Sequence, residues 1–383
     1  MKLRFGLIGG AGGFIGDVHR HAATMDDLAV LTAGCFSRNP EKSRAFAENV
    51  GLTDFDRLYT KYEEMAEKES ARADGIDFVS ITTPNDTHYP IAKCFLEHGI
   101  HIVCDKPLAL TSAQGRELAA LAKEKDLLFG VTYTYTGYAM VRQAREMIDA
   151  GEIGKILTVH GEFPQEWLAV SLISDNSEQA TWRQDPARSG ASGCCADIGT
   201  HVECLIAAMT GLHPVRVIAR FDHIPPEIAL ETNAQMMVSF DGNGQTDIPG
   251  TIWTSQVAMG YETELKVRVF GEKGAIEWTH LRPWELRVTR INQPPQVYTN
   301  NRDYLHPAAK ALCRLPSGHI EGFYEAFGNI YRSYCMHLLA RKTGADASLF
   351  RYPTVEDGVH GIEFVEACLK SNANGNAWVT VGI

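Results

Sequence analysis

The sequence lacks the cysteine patterns that mark disulfide-rich or zinc-binding proteins. Its nine cysteines are scattered, no C-x-x-C motif occurs, and the one adjacent pair is Cys194-Cys195. This usage predicts a reduced, cytoplasmic protein. No apolar run approaches the length of a membrane span, and the first residues do not predict a signal peptide.

The sequence also lacks an excess of positive charge. It has 36 Lys and Arg residues against 47 Asp and Glu residues, which gives a formal net charge of -11 at pH 7. Such a balance disfavours nucleic acid or an anionic membrane as a partner. What remains is a globular composition, with 45% hydrophobic and 22% charged residues. A length of 383 residues indicates at least two domains.

The first 130 residues alternate between apolar strands and helices. Such alternation predicts right-handed βαβ units and a parallel sheet. Beyond residue 132, long β-rich runs and glycine-containing turns predict a sheet that is mostly antiparallel. We therefore expect an α/β protein with one domain over residues 1–132 and a second, substrate-binding domain over residues 133–383.

A glycine-rich loop separates the first predicted strand from the first predicted helix. From Gly10 it reads G-x-G-x-x-x-G, one residue longer than the usual dinucleotide-binding pattern. Glycines there allow a tight turn and a close approach to a pyrophosphate, and the helix amino terminus adds N–H donors. The loop predicts a Rossmann domain that contacts a nicotinamide dinucleotide through Gly10, Gly12, Phe14 and Ile15. A plain tight turn is the alternative.

The acidic residue that often binds the adenosine ribose at the end of the second strand is absent. Ser37 and Arg38 stand there, and Lys42 follows. Ser37 would serve a ribose hydroxyl, whereas Arg38 and Lys42 would meet the adenine or a 2′-phosphate. A solvated loop charge is the alternative for Arg38. We therefore expect NAD as the cofactor, with NADP as the alternative.

Polar residues also follow two further predicted strands of the parallel sheet. Thr83, Pro84 and Asn85 follow one of them, with His88 just inside the next helix. Because ligands bind at the carboxyl ends of such strands, we expect these four residues to line the nicotinamide side of the cofactor. Helix capping by Asn85 or Thr87 is the alternative for this segment, and a structural role is the alternative for His88. Lys106 ends the next strand and would contact both cofactor and substrate.

An aspartate and a histidine, Asp197 and His201, lie one helical turn apart about 90 residues after Lys106. On a helix they would share one face. Lys106 would stabilise the negative charge that develops on a substrate hydroxyl, and Asp197 would orient the lysine or bind a hydroxyl. The residues leave open whether His201 or Lys106 is the base, and we favour His201. The alternative is a capped helix with a structural histidine.

Patterns for a metal site or an activated serine are incomplete. His201-Val202-Glu203 is not followed by the P-C-x-x-C of a zinc deaminase. Cys195, His201 and Cys204 do not have an ordinary zinc spacing. The run Gly190–Gly193 is one residue short of a nucleophile elbow. We expect no metal.

Taken together, these motifs resemble the Gfo/Idh/MocA family of oxidoreductases over nearly the whole chain. The glycine loop, Thr82-Thr83-Pro84-Asn85, Asp105-Lys106-Pro107 and Asp197-Ile198-Gly199-Thr200-His201 occur in the family's order. Asp105 stands where the family usually has Glu. The resemblance implies that Lys106, Asp197 and His201 are catalytic. It also implies a Rossmann domain followed by an open antiparallel sheet, with sheets that pair subunits in a homodimer or homotetramer.

The long glycine loop and the segment 182–190 resemble a subgroup that contains levoglucosan dehydrogenase and the glycoside 3-dehydrogenases. This implies oxidation of a pyranose C3 hydroxyl. The chemistry of the side chains agrees, because Tyr135 and Trp182 would pack against sugar C–H faces and Arg183 would meet hydroxyls. A place for these aromatics in the core is the alternative.

Two other functions compete with the sugar dehydrogenase. One is an inositol dehydrogenase or related reductase on the same fold. The other is a non-catalytic dinucleotide-binding sugar sensor, which should lack the lysine or the histidine. Both Lys106 and His201 are present.

Overall fold

The computed structural model describes residues 2–173 and 185–382, and these residues form two compact units. Unit 1 contains Met1–Ala109, Ala113–Thr134 and Phe323–Val359, and unit 2 contains Leu110–Ser112, Tyr135–Gly322 and His360–Ile383. The change at Thr134 lies close to the predicted boundary after residue 132. The return of Phe323–Val359 to unit 1 is not part of that prediction.

A parallel sheet forms the centre of unit 1, as predicted. Its five strands in the described residues have the order β2-β1-β3-β4-β5. The strands are β1 Leu3–Gly9, β2 Ala29–Cys35, β3 Phe78–Thr82, β4 His101–Cys104 and β5 Phe129–Val131. All five residues of β3 are buried, because helices cover both faces of such a sheet. The strand order reverses between β1 and β3, and ligands bind at such a reversal.

The helices of unit 1 follow from local sequence signals. Asn39 accepts a hydrogen bond from the backbone N–H of Lys42 at 3.0 Å, and Pro40 occupies the first helical position, so the second helix begins there. The helices are α1 Phe14–Thr24, α2 Pro40–Asn49, α3 Tyr62–Ala71, α4 His88–Glu97 and α5 Ser112–Glu124.

One helix of unit 1 comes from the carboxyl-terminal part of the chain. It is α11, Phe323–Thr343. Phe327, Tyr331, Tyr334 and Leu338 recur every three or four residues and are buried in the core that contains Phe5, Phe78 and Val18. The Tyr334 and Phe78 rings meet edge-on, with centroids 5.4 Å apart.

A large sheet forms the centre of unit 2. In the described residues it has nine strands in the order β13-β12-β11-β10-β6-β9-β8-β7-β14, antiparallel except for β6 beside β9. The predicted mostly antiparallel sheet is confirmed. The strands are β6 Ile156–Pro164, β7 Leu212–Asp222, β8 Asn233–Gly242, β9 Gln245–Ser255, β10 Lys266–Gly271, β11 Gly274–Thr279, β12 Glu285–Arg290, β13 Gln296–Thr299 and β14 Val379–Thr380.

The remaining α-helices lie wholly or mostly in unit 2. They are α6 Ala139–Asp149, α7 Trp167–Ile173, α8 Pro186–Ser189, α9 Thr200–Thr210, α10 Pro307–Lys310 and α12 Val355–Ala373, of which α12 begins in unit 1. Among the helices described, none is long and apolar enough to cross a lipid bilayer.

Candidate active site

The glycine loop of unit 1 has a backbone that only glycine adopts readily. Gly9, Gly10 and Gly12 have φ angles of 85°, 96° and 107°. The loop leads into α1, whose first residue is Phe14 and whose cap residue, Gly13, contributes no side-chain hydrogen bond. The N–H groups of the first turn are therefore directed toward the loop with no side-chain cap, which suits a phosphate oxygen.

Gly16 determines how closely α1 approaches this loop. A Cβ atom on Gly16 would lie 2.2 Å from the Cα atom of Gly10, so a side chain there would displace the loop backbone. The third glycine of a dinucleotide-binding loop has this role of close packing. The loop therefore keeps the roles of the three glycines although its motif is one residue longer than usual. The residues present fit a dinucleotide pyrophosphate. Phe14 is 66% exposed beside the loop, and its ring stacks on Phe323 at 6.4 Å.

The segment after β2 contains the residues predicted to contact the adenosine end. Ser37 Oγ accepts a hydrogen bond from the backbone N–H of Asn39 at 3.1 Å and keeps its own O–H as a donor. Arg38 and Lys42 are exposed. Their side chains and the Ser37 hydroxyl follow the carboxyl end of β2, where an adenosine ribose binds in this fold.

The segment after β3 divides into surface residues and one buried histidine. Thr83 and Asn85 are partly exposed and Pro84 is exposed, and Thr83 Oγ1 accepts a hydrogen bond from Thr87 Oγ1 at 2.7 Å. His88 is fully buried, and its two ring nitrogens lie within 2.8 Å of backbone carbonyl oxygens. The predicted cofactor contact of His88 is therefore corrected, because neither nitrogen is directed to a ligand.

Lys106 follows β4, and the peptide bond between Lys106 and Pro107 is cis. The preceding Asp105 accepts a hydrogen bond from Thr132 Oγ1 at 2.8 Å, and its Oδ1 lies 3.6 Å from His19 Nε2. Burial alone would raise the pKa of Asp105, but His19, together with the charges of Lys106 and His88, lowers this pKa to about 2. Asp105 is therefore an ionised carboxylate directly before the lysine.

His19 is part of a buried polar cluster that the sequence gives no reason to expect. Its Nδ1 lies 2.7 Å from Tyr331 Oη and 3.1 Å from Ser80 Oγ. Burial raises the pKa of Tyr331 well above its usual value, so its phenol stays neutral. The other ring nitrogen of His19, Nε2, is the one that lies 3.6 Å from Asp105 Oδ1. Tyr331 belongs to α11, so this cluster connects α11, which is distant in sequence, to the segment that contains Lys106.

In unit 2, Asp197 and His201 stand at a change in helix type. Asp197 lies in a π-helical turn, Cys195–Gly199, that leads directly into α9, and His201 is the second residue of α9. Single π-turns within helices are frequent at functional sites. Because about one helical turn separates the two residues, we expect their side chains on the same side of the helix.

Glu231 fixes the start of this π-turn from a distant part of the chain. Its carboxylate accepts hydrogen bonds from Ser192 Oγ at 2.6 Å, from the N–H of Gly193 at 2.8 Å and from the N–H of Cys195 at 3.0 Å. A Cβ atom on Gly193 would lie 2.3 Å from the carbonyl oxygen of Glu231. The small residues before Asp197 therefore allow close packing. Burial raises the pKa of Glu231, and these bonds oppose the rise.

Asp197 and His201 are both close to Tyr135. Asp197 Oδ2 accepts a hydrogen bond from Gln256 Nε2 at 2.8 Å. The Tyr135 ring meets the rings of His201 and His280 edge-on at 4.9 and 5.0 Å. Burial and then the charge of Asp197 raise the pKa of Tyr135, and burial lowers the pKa of His280. A neutral phenol and a neutral imidazole therefore border the pair.

The structure thus brings the predicted residues together in two groups, each within one unit. The cofactor residues and Lys106 belong to unit 1, and Asp197, His201 and Tyr135 belong to unit 2. Trp182 and Arg183, the other predicted substrate residues, lie outside the described residues. Within residues 2–173 and 185–382, no three His, Cys, Asp or Glu side chains are placed to bind a metal ion together.

Gln256, Glu231 and His280 are the unit 2 residues that sequence reasoning missed. Gln256 follows the carboxyl end of β9, which is a weak signal for a polar site residue. Nothing in the sequence around Glu231 or His280 separates them from ordinary strand or loop residues.

Two sequence models of one family match this chain. The oxidoreductase family with an NAD-binding Rossmann fold matches residues 3–133, and the GFO/IDH/MocA carboxyl-terminal domain matches residues 141–277. An uncharacterized oxidoreductase of Bacillus subtilis is 35% identical, over 98% of this chain and 96% of its own length. Levoglucosan dehydrogenase of Pseudarthrobacter phenanthrenivorans is 25% identical, over 82% of this chain and 84% of its own length.

Solved structures of similar proteins match this chain over almost its full length. An inositol dehydrogenase homologue from Azotobacter vinelandii, complexed with NAD+, is 35% identical with a TM-score of 0.92, and the match covers 99% of this chain and 97% of that one. Levoglucosan dehydrogenase in complex with NADH and levoglucosan is 25% identical with a TM-score of 0.83, covering both chains completely. This chain therefore belongs to the GFO/IDH/MocA family of NAD-binding oxidoreductases.

Proposed function

We propose that this protein is an NAD-dependent dehydrogenase that oxidises one secondary ring hydroxyl of a cyclic polyol. Of two candidate substrate classes, the one we favour is a pyranose sugar or glycoside that is oxidised at C3. The observation that carries the proposal is the Asp197–His201 pair, held by Gln256 and Glu231 at a π-turn and bordered by the Tyr135 ring. A carboxylate, an imidazole and an aromatic face together suit a hydroxylated ring with one C–H side.

The side chains divide the work of alcohol oxidation. His201 accepts the hydroxyl proton, and the Lys106 ammonium stabilises the negative charge that develops on the oxygen. Asp197 accepts a hydrogen bond from a neighbouring hydroxyl and orients the ring, while Gln256 fixes the rotamer of Asp197. Bound NAD supplies the hydride acceptor. Ser37, Thr83 and Asn85 would contact its two riboses, and the loop Gly10–Gly16 would hold its pyrophosphate.

A cyclitol such as myo-inositol is the second candidate substrate class. A solved structure titled as an inositol dehydrogenase homologue complexed with NADH and myo-inositol is 34% identical to this chain, with a TM-score of 0.89. The levoglucosan dehydrogenase structures are 25% identical. Both ligands are six-membered rings with adjacent secondary hydroxyls, so the same three catalytic groups serve either.

A substrate panel with the purified protein separates these classes. Reduced-nicotinamide absorbance is followed with NAD or NADP and with pyranosides, anhydrosugars and cyclitols, and NMR of the product locates the new carbonyl. We expect NAD-linked turnover with the carbonyl at C3 of a pyranoside. Turnover of cyclitols alone would replace the first class by the second, and turnover of neither, with NAD still bound, would favour the sugar sensor.

Replacement of the lysine tests the catalytic assignment. We expect Lys106→Ala to lower kcat/KM by roughly 10²- to 10⁴-fold, the usual contribution of a positioned acid or base, with little change in NAD affinity. Lys93→Ala is the matched control, because Lys93 is a surface lysine of the same unit that pairs with Glu117. Unchanged turnover in Lys106→Ala would refute the role given to this residue.

A further inference from the structure

His88 has an environment that is unusual for a buried histidine. Its side chain is fully buried. Nδ1 lies 2.7 Å from the carbonyl oxygen of Pro107, and Nε2 lies 2.8 Å from the carbonyl oxygen of Thr83. Both distances are those of good hydrogen bonds. The imidazole therefore connects the end of β3 to the segment after β4.

The two partners determine the protonation state of this ring. A backbone carbonyl oxygen only accepts hydrogen bonds, so each ring nitrogen has to carry a proton to bond its partner. A neutral imidazole carries one N–H and would direct a lone pair at the second carbonyl. Burial would make that unfavourable contact costly, because no water relieves it. Two N–H groups on the ring are therefore what would satisfy both carbonyl groups.

A buried cation also needs a compensating negative charge, and the structure supplies one. The charged groups that interact with His88 across this segment are Asp105 and, through Asp105, Lys106 and His19. Asp105 is an ionised carboxylate, since its pKa lies at about 2. A buried charge that is both hydrogen-bonded and compensated is tolerated, whereas an isolated one is not.

The two carbonyls held by His88 belong to the segments that carry the proposed chemistry. Thr83 directly follows β3, and its side chain is among those we assign to the cofactor. Pro107 directly follows Lys106. We propose that His88 is a positioning residue, an imidazolium that fixes the backbone after Lys106 to the cofactor segment after β3. The effect of His88 on catalysis rests on the role of Lys106 in the proposed function, whereas the protonation state of His88 is independent of that function.

Ring nitrogen NMR tests the protonation state without any need for activity. The protein is labelled with ¹⁵N-histidine, and the His88 signals are assigned by their loss in His88→Gln. We expect both His88 nitrogens to give the shifts of protonated N–H groups near neutral pH. His98, an exposed histidine whose Nδ1 bonds the carbonyl of Cys94, serves as the reference ring. An unprotonated His88 nitrogen would overturn the proposal.

Kinetics and lysine labelling test the positioning role. His88→Gln keeps a donor for one carbonyl but directs its amide oxygen at the other. We expect kcat to fall on the order of 10- to 100-fold, as for a small displacement of a catalytic group, with little change in NAD affinity. His98→Gln is expected to leave kcat unchanged. An equal loss of kcat and NAD affinity would indicate a collapsed cofactor segment and contradict the proposal.

The rate at which a small acylating reagent modifies Lys106, measured by mass spectrometry, separates this proposal from the proposed function. We expect His88→Gln to change this rate severalfold relative to Lys93 in the same sample. That result would support the positioning role even if no polyol were oxidised. An unchanged rate in a folded variant would refute it, whatever the substrate panel gives. If His88→Gln fails to fold, through-bond NMR experiments that link the His88 ring to its own backbone assign its signals in the unaltered protein, and the protonation of the two nitrogens still decides the proposal.

Discussion

The two units hold their candidate functional residues in different ways. In unit 1 the glycine loop, which we propose holds the cofactor, is defined by its backbone, with glycines at positive φ angles and a helix start without a side-chain cap. In unit 2 the Asp197–His201 pair depends on side chains from elsewhere, because Glu231 and Gln256 hold it from 34 and 59 residues beyond Asp197. A site made of backbone can be recognised within a short stretch of sequence, whereas one made by long-range side-chain contacts cannot.

Among the tests of this comparison, the largest expected effect comes from adding one methyl group to the glycine loop. Gly16→Ala places a Cβ atom 2.2 Å from Gly10 Cα, so α1 and the loop have to separate. Overpacking of this kind costs roughly 1–3 kcal/mol, and we expect NAD affinity to fall about 100-fold if most of that strain is transmitted to the loop. Isothermal titration with NAD measures it.

A second glycine variant controls for a general loss of stability. Gly51 follows α2 with a φ of 77°, and a Cβ atom there meets no other atom within 4 Å. Gly51→Ala should therefore lower the free energy of unfolding by about 1 kcal/mol through backbone strain, with NAD affinity unchanged. Equal NAD affinity in the Gly16 and Gly51 variants would contradict the backbone account of the cofactor site.

This contrast explains which features the sequence predicts. The βαβ alternation and the glycine loop are local patterns, so the parallel sheet and the cofactor followed from them, and the antiparallel sheet followed from the β-rich runs. The contribution of α11 to unit 1 has no local signature, because its buried stripe would suit any core. His88 has the chemistry of a ligand residue in the sequence, and only the positions of two carbonyl groups show its structural role.

Asp105 provides a further test of the comparison, because here unit 1 also depends on a side chain, one that is largely buried. Its pKa is about 2 in the folded protein, below the ordinary 3.8, so the charged form stabilises the fold. That stability is fully present above about pH 4 and is lost as the pH falls through about 2. We expect Asp105→Asn to lower the free energy of unfolding by about 2 kcal/mol at pH 7. Urea denaturation of both proteins between pH 7 and 3 measures the difference.

The pH dependence distinguishes a buried charge from ordinary loss of a contact. The difference between Asp105→Asn and the unaltered protein should shrink as the pH falls below about 4. Asp303→Asn is the control, because Asp303 pairs with Lys310 on the surface, where such a pair contributes little. A pH-independent difference for Asp105→Asn would show that its charge does not stabilise the fold.

The smallest expected effect lies in unit 2, where one hydrogen bond is removed. Gln256→Ala takes the donor at 2.8 Å away from Asp197 and leaves the π-turn and Glu231 intact. A hydrogen bond to a charged group contributes about 1.5 kcal/mol or more, so we expect kcat to fall roughly 10-fold while NAD affinity stays unchanged. Steady-state kinetics with the best polyol, together with NAD titration, measures both quantities.

The control for this variant is Gln235→Ala on the adjacent strand β8, where the side chain is exposed and no kinetic change is expected. If Gln256→Ala weakened NAD binding and left kcat unchanged, Gln256 would belong with the cofactor groups and the comparison of the two units would fail. If kcat alone falls, the Gln256 amide at the end of β9 orients the Asp197 carboxylate in the π-turn before α9. That result would show that the substrate residues of unit 2 depend on long-range side-chain contacts. It would also explain why the Asp197–His201 spacing alone is weak sequence evidence for a catalytic pair.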